Sequence, residues 1–161
     1  MSAELLPHVP LGRLLGLIEV MAETAGPDDL FRLAERLRLR LDELHPLLEA
    51  ARLLGWARVA RGDYDLTDEG QRVAAADVAS RKSLFRERAR GLPIIASILG
   101  ALTAAAVVPR ETIRSRLRLR VPPLEAERQL DTAVNWGRWA DLFDYDADDA
   151  CFIRVGNDRE T

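Results

Sequence analysis

Cysteine occurs once in this chain, at Cys151, lysine once, at Lys82, and histidine twice, at His8 and His45. One cysteine leaves no internal disulfide, no Cys-x-x-Cys pair and no thiolate cluster for a metal. Neither histidine has a cysteine or an acidic pair at ligand spacing, and no base, nucleophile and orienting acid form a triad pattern. The phosphate loop Gly-x-x-x-x-Gly-Lys-Ser/Thr is absent, since Lys82 has no glycine around it. We therefore expect no ATP hydrolysis through such a loop, no enzyme activity, no catalytic residues, no cofactor and no metal. The N-terminus, MSAELLPHVP, lacks the charged and apolar regions of an export signal, so the expected location is the cytoplasm.

A large net charge is also missing. The 161 residues sum to −3, with 9 Arg against 14 acidic groups in residues 1–80 and 14 cations against 12 acids in residues 81–161. Neither half is basic enough to demand nucleic acid. The remaining balance, 48% apolar and 30% charged, is that of a globular protein.

What is there is a repeated plan. Leu41 to Gly70 reads as a helix, a stop at Gly55, a strand from Trp56, the turn Gly62-Asp63, a return strand Tyr64–Leu66, and a new helix capped by Thr67. The plan recurs from Pro123 to Val155, pairing Leu48 with Leu130, Ala51 with Ala133 and Gly55 with Gly137, each Gly close to a Trp. Upstream, Leu11–Thr24 and Asp28–Leu37 have helical apolar spacing, the second burying Leu30, Phe31, Leu33, Ala34 and Leu37. Asp42 is the expected N-cap of the third helix, with Pro46 in its first turn. Three helices and a two-stranded hairpin are the order of a winged helix. The expected fold is mainly α (α+β): winged-helix-like units at 5–78 and 92–155, a helical linker at 79–91 and a tail at 156–161.

Residues 92–109 carry no charge. Pro93, Ser97, Gly100 and the alanines make them too weakly apolar for a membrane span, and no membrane insertion is expected. A helix with a bulky face (Ile94, Ile95, Ile98, Leu99, Leu102) and a small face fits better. The small face, Ala96, Gly100, Ala101 and Ala104, is a candidate self-association surface for a homodimer; plain exposure of alanines is the other reading. The acidic turn Asp144–Asp149 lacks the Gly and Glu of a calcium loop, having Asp149 and Val155 there, and reads as a solvated hairpin. Trp56 and Trp136 are expected as core plugs where helix meets hairpin.

A winged helix raises DNA binding through its third helix. Here Arg52 faces Asp42, Glu43 and Glu49, and in the second copy Arg128 and Arg138 face Glu125, Glu127 and Asp131. Both candidate recognition helices are acidic, which opposes phosphate contact. The basic segments lie at 81–90 and at 110–120, where Arg110, Arg114, Arg116, Arg118 and Arg120 face only Glu111. That second segment is the candidate partner surface.

Five blocks carry a family resemblance: LPHVPLGRLLGLIEVMAE (Leu6–Glu23), LAERLRLRLDELHPLLEAARLLGWA (Leu33–Ala57), DLTDEGQ (Asp65–Gln71), RKSLFRE (Arg81–Glu87) and EAERQLDTAVNWGRWADLFDYD (Glu125–Asp146). In their order they resemble the AAA-associated C-terminal domain that follows the ATPase module of nitrate/sulfonate/bicarbonate-type ABC transporters. The resemblance implies an accessory or regulatory appendage to a transporter ATPase, acting through protein contacts and membrane-peripheral only through that partner. It transfers no catalytic residues. No cassette lies within these residues, so a stand-alone version is expected. A winged-helix DNA-binding regulator is the alternative.

Overall fold

The computed structural model describes residues 5–24 and 26–156. These form eight helices and six short strands in two compact units, Pro7–Arg88 and a second built from Ala89 onward together with the segment ending at Leu6.

The first unit runs α1 (Leu11–Ala22), β1 (Asp28–Asp29), α2 (Leu30–Leu37), α3 (Leu41–Leu53), β2 (Ala57–Ala60), β3 (Asp63–Leu66), α4 (Asp68–Ala75) and α5 (Val78–Ala89). Its core is aliphatic, with Leu14, Ile18, Leu33, Leu44 and Leu48 buried where helical spacing puts them on one face. Trp56 plugs the point where α3 gives way to β2. Its ring is fully buried and meets Phe85 of α5 edge-on at 6.2 Å. Thr67 joins the same corner to α4: its hydroxyl accepts from the Gly70 N–H at 3.1 Å and donates to the Gly55 carbonyl at 2.6 Å.

The second unit runs α6 (Pro93–Ala104), β4 (Val107–Pro109), α7 (Arg110–Leu117), α8 (Pro123–Trp139), β5 (Asp144–Asp146) and β6 (Cys151–Ile153). Ile95, Ile98, Leu130, Ala133, Trp136 and Phe143 fill its core, and Phe152 packs edge-on to Phe143 at 5.3 Å. Among the described residues, no helix is long and apolar enough to cross a membrane.

Both units follow the order helix, strand, helix, helix, strand, strand, and their antiparallel sheets have matching strand orders, β1-β3-β2 and β4-β6-β5. The first strand of each sheet corrects the expectation of two-stranded hairpins. Asp28 and Asp29 pair with Tyr64 and Asp63, while Val107–Pro109 pairs with Ile153–Cys151. Strands of two or three residues are too short to show alternation, and only the partner strand defines them.

Three local readings also change. Phe31 is 67% exposed rather than buried, because α2 is only two turns long and turns Leu33 and Ala34 inward. Position 40, not Asp42, is the N-cap of α3; the Arg40 N–H donates to the Glu43 carboxylate at 2.9 Å. Pro46 therefore lies past the first turn, inside the helix.

The internal repeat is offset by one helical turn from the sequence pairing. After α3, Gly55 has φ +73° and Trp56 N–H donates to the Ala51 carbonyl at 2.9 Å. After α8 the same C-terminal motif places Asp141 at φ +56°, with Leu142 N–H donating to the Gly137 carbonyl at 2.9 Å. Gly55 thus corresponds to Asp141, and Gly137 belongs to the body of α8.

A candidate partner-binding groove in the second unit

The arginines of segment 110–120 separate into two groups with different surroundings. Arg110 opens α7 and is only 8% exposed. Its Nη2 donates to Glu127 Oε2 at 2.9 Å and to Asp131 Oδ1 at 2.8 Å, and its Nη1 donates to the Tyr145 hydroxyl at 3.3 Å. Glu127 and Asp131 are four residues apart on α8, so they share one face and hold the same guanidinium. Arg114, one turn along α7, donates to Glu127 and to Glu111. Burial disfavours the Arg110 charge, but the hydrogen bonds to Tyr145, Asp131 and Glu127 outweigh it and raise the pKa. The placement of Arg110 corrects the reading of it as a surface contact: it joins α7, α8 and the hairpin from within.

The Arg114 hydrogen bond, aided by Arg110, holds the Glu127 carboxyl below its ordinary value of 4.5 against the opposing effect of burial. A carboxylate with a lower pKa folded than unfolded contributes stability above 4.5 and loses it as pH falls through the depressed value. We expect the thermal midpoint to fall on acidification below pH 4.5, and Glu127→Gln to flatten part of that fall in circular dichroism melts.

Arg116, Arg118 and Arg120 are exposed. Arg116 and Arg120 stand on an open groove of about 540 Å³ lined by Leu5, Ile94, Ala96, Leu117, Leu119 and Val121, among others. Arg116 Nη1 donates to Ser97 Oγ on α6 at 3.0 Å, which orients the guanidinium. Leu119 at the groove and Leu124 beyond it are 87% and 74% exposed.

Gln129 builds the inner wall. It is 1% exposed, accepts from the Leu6 N–H at 2.8 Å, and donates to the Leu6 carbonyl at 2.9 Å and to Glu125 at 2.9 Å. This two-way clamp places Leu5 on the groove. Gln129→Leu should lower stability by about 2–3 kcal/mol, because two buried backbone groups lose their partners. The checks are the melting midpoint and faster amide exchange at Leu6.

The predicted sets thus meet only in part. Ala96 shares the groove with Arg116 and Arg120; Gly100 and Ala104 are exposed and Ala101 half-buried elsewhere on α6. The groove itself escaped the sequence reading, since Gln129 and Leu5 lie 124 residues apart and carry no joint signal.

The other candidates are internal or solvated. Arg81 donates to Glu19 at 2.6 Å and to the carbonyls of Val73 and Ala74, and Arg88 pairs with Glu69. Asp146 Oδ1 accepts from the N–H groups of Asp148 and Asp149 at 2.9 and 3.1 Å, closing the acidic turn on itself. Burial and the carboxylates of Asp146 and Asp149 push the Cys151 thiol up, which disfavours a nucleophilic thiolate. Among the described residues, no three possible metal ligands gather.

Comparison with curated proteins and with solved structures finds no match. A family model does match: the C-terminal AAA-associated domain, over residues 31–146, from α2 through the hairpin strand β5. That span covers most of both units and includes the arginine segment, the Glu127–Asp131 pair and Gln129. The chain belongs to the family of C-terminal AAA-associated domains.

Proposed function

We propose that this protein is a non-catalytic accessory or regulatory module of an ABC-type transporter ATPase of the nitrate/sulfonate/bicarbonate kind. It works in the cytoplasm through protein contacts. The observation that carries this reading is the apolar groove with Arg116 and Arg120 on it, in a chain whose family is named for its association with ATPases. The shared order helix, strand, helix, helix, strand, strand supports two winged-helix-like units, which we place within Pro7–Arg88, from α1 to β3, and after Ala89, from α6 to β6. The third helix of each, α3 and α8, carries more acid than base, which favours a protein partner over a DNA duplex.

Affinity purification of the tagged protein from its host, followed by mass spectrometry, is the test. Recovery of a cassette ATPase supports the reading. Recovery of promoter DNA, together with a mobility shift that weakens steeply with salt, would replace it with a transcriptional regulator. Light scattering of the same preparation tests the self-association assigned to Ala96, Gly100, Ala101 and Ala104; a monomeric mass removes it.

A further inference from the structure

We infer that the groove of the second unit receives an acidic amphipathic helix from a partner protein, its apolar side chains in the groove and its carboxylates on Arg116 and Arg120. The inference rests on the reading above for its biological setting and adds the chemistry of the partner segment.

Charge complementarity gives the direction. The groove-lining residues include two arginines and no carboxylate, in a protein of net charge −3. Earlier in the same segment, on α7, the charges of Arg110 and Arg114 are taken up by Glu127, Asp131 and Glu111. Among the described residues, the Arg120 side chain has no hydrogen-bond or ion-pair partner, and Arg116 contacts only the neutral Ser97 hydroxyl. An incoming carboxylate would therefore meet guanidinium groups that no carboxylate among the described residues occupies, one of them already oriented.

Shape selects the kind of partner. Ile94, Ala96, Leu117, Leu119 and Val121 offer a concave apolar strip between α6 and the segment after α7, with room for the apolar side chains of a helix face. A flat anionic bilayer could reach the protruding Leu119 but could not fill the recess beside Ala96. The observations thus favour a peptide over a lipid surface.

The experiment uses the full chain and a fluorescein-labelled 18-residue peptide with leucines at i, i+3, i+4 and i+7 and glutamates elsewhere. A second peptide has lysines in place of the glutamates, and phosphatidylglycerol vesicles form a third arm. We expect saturable anisotropy binding of the acidic peptide, at least tenfold weaker binding of the lysine peptide, and at least tenfold loss with Arg116→Glu/Arg120→Glu. Ala96→Phe, which fills the recess without changing charge, should weaken binding by a similar factor. All these positions are exposed, so unchanged melting curves are the folding control. Absence of acidic-peptide binding, equal binding of both peptides, insensitivity to Ala96→Phe, or binding to vesicles alone would each overturn the inference. The ATPase purification separates the two levels. An ATPase recovered equally well by the Arg116→Glu/Arg120→Glu variant would sink the inference and leave the proposed function standing. Groove-dependent peptide binding without any ATPase recovered would do the reverse.

Discussion

Gly137→Ala is expected to destabilise the second unit by about 3 kcal/mol or more, at the upper end of what overpacked cores cost. Helix propensity alone points the other way. Gly137 lies inside α8 and has no positive φ, so alanine there should gain about 1 kcal/mol. The environment decides otherwise. A Cβ on residue 137 would lie 2.0 Å from Cζ and 2.3 Å from Cε1 of Phe143. That ring is 1% exposed and packs edge-on against Phe152, and a close-packed interior resists its displacement. The overlap outweighs the propensity. For a unit of this size the midpoint should fall by more than about 10 °C. Combining Gly137→Ala with Phe143→Leu, which shortens the offending ring, should cost less than the two single changes summed. Additivity in that double-mutant cycle would show that the ring contact is not the cause.

Arg110→Ala is expected to cost about 2–3 kcal/mol. Removing one partner of a buried ion pair is usually worth about 3–5 kcal/mol. The lower figure follows because the side chains of Asp131 and Glu127 are 73% and 40% exposed, and water can replace much of what the guanidinium supplied. Arg110→Met, similar in length and apolar, should retain more of the packing against Tyr145 and cost less than alanine, since volume matters here alongside charge. The two melts separate these contributions. Neither change touches Arg116 or Arg120, so a folded Arg110→Met protein should bind the acidic peptide within about twofold of the parent, because distant sites act nearly independently. Loss of binding in a variant with a normal melt would return Arg110 to the contact surface.

The order of helices and hairpins was legible because each depends on local chemistry: apolar spacing in α1 and α8, Gly55 after α3, and Thr67 before α4. The burial of Trp56 and Trp136 was legible too, but only Trp56 sits where helix meets hairpin; Trp136 lies inside α8, and Leu142 takes the place that matches Trp56. The repeat was visible, but its register was not. Matching glycines aligned Gly55 with Gly137, whereas the backbone aligns Gly55 with Asp141. A glycine can serve a left-handed turn or make room for a ring, and one letter does not say which.

The candidate site divides in the same way. The density of arginine at 110–120 is a property of the sequence alone. Which of those charges face outward depended on Glu127 and Asp131, brought to Arg110 by the packing of α7 on α8. The groove depended on a clamp between Leu6 and Gln129, 123 residues apart. By itself, then, the sequence determined the family, the helical content and the chemistry available on each segment, because these follow from residue type and short-range spacing. Only the tertiary structure decided which arginines are spent inside the fold and which stand over an apolar recess, because hydrogen-bond geometry and exclusion of water exist only once distant segments touch.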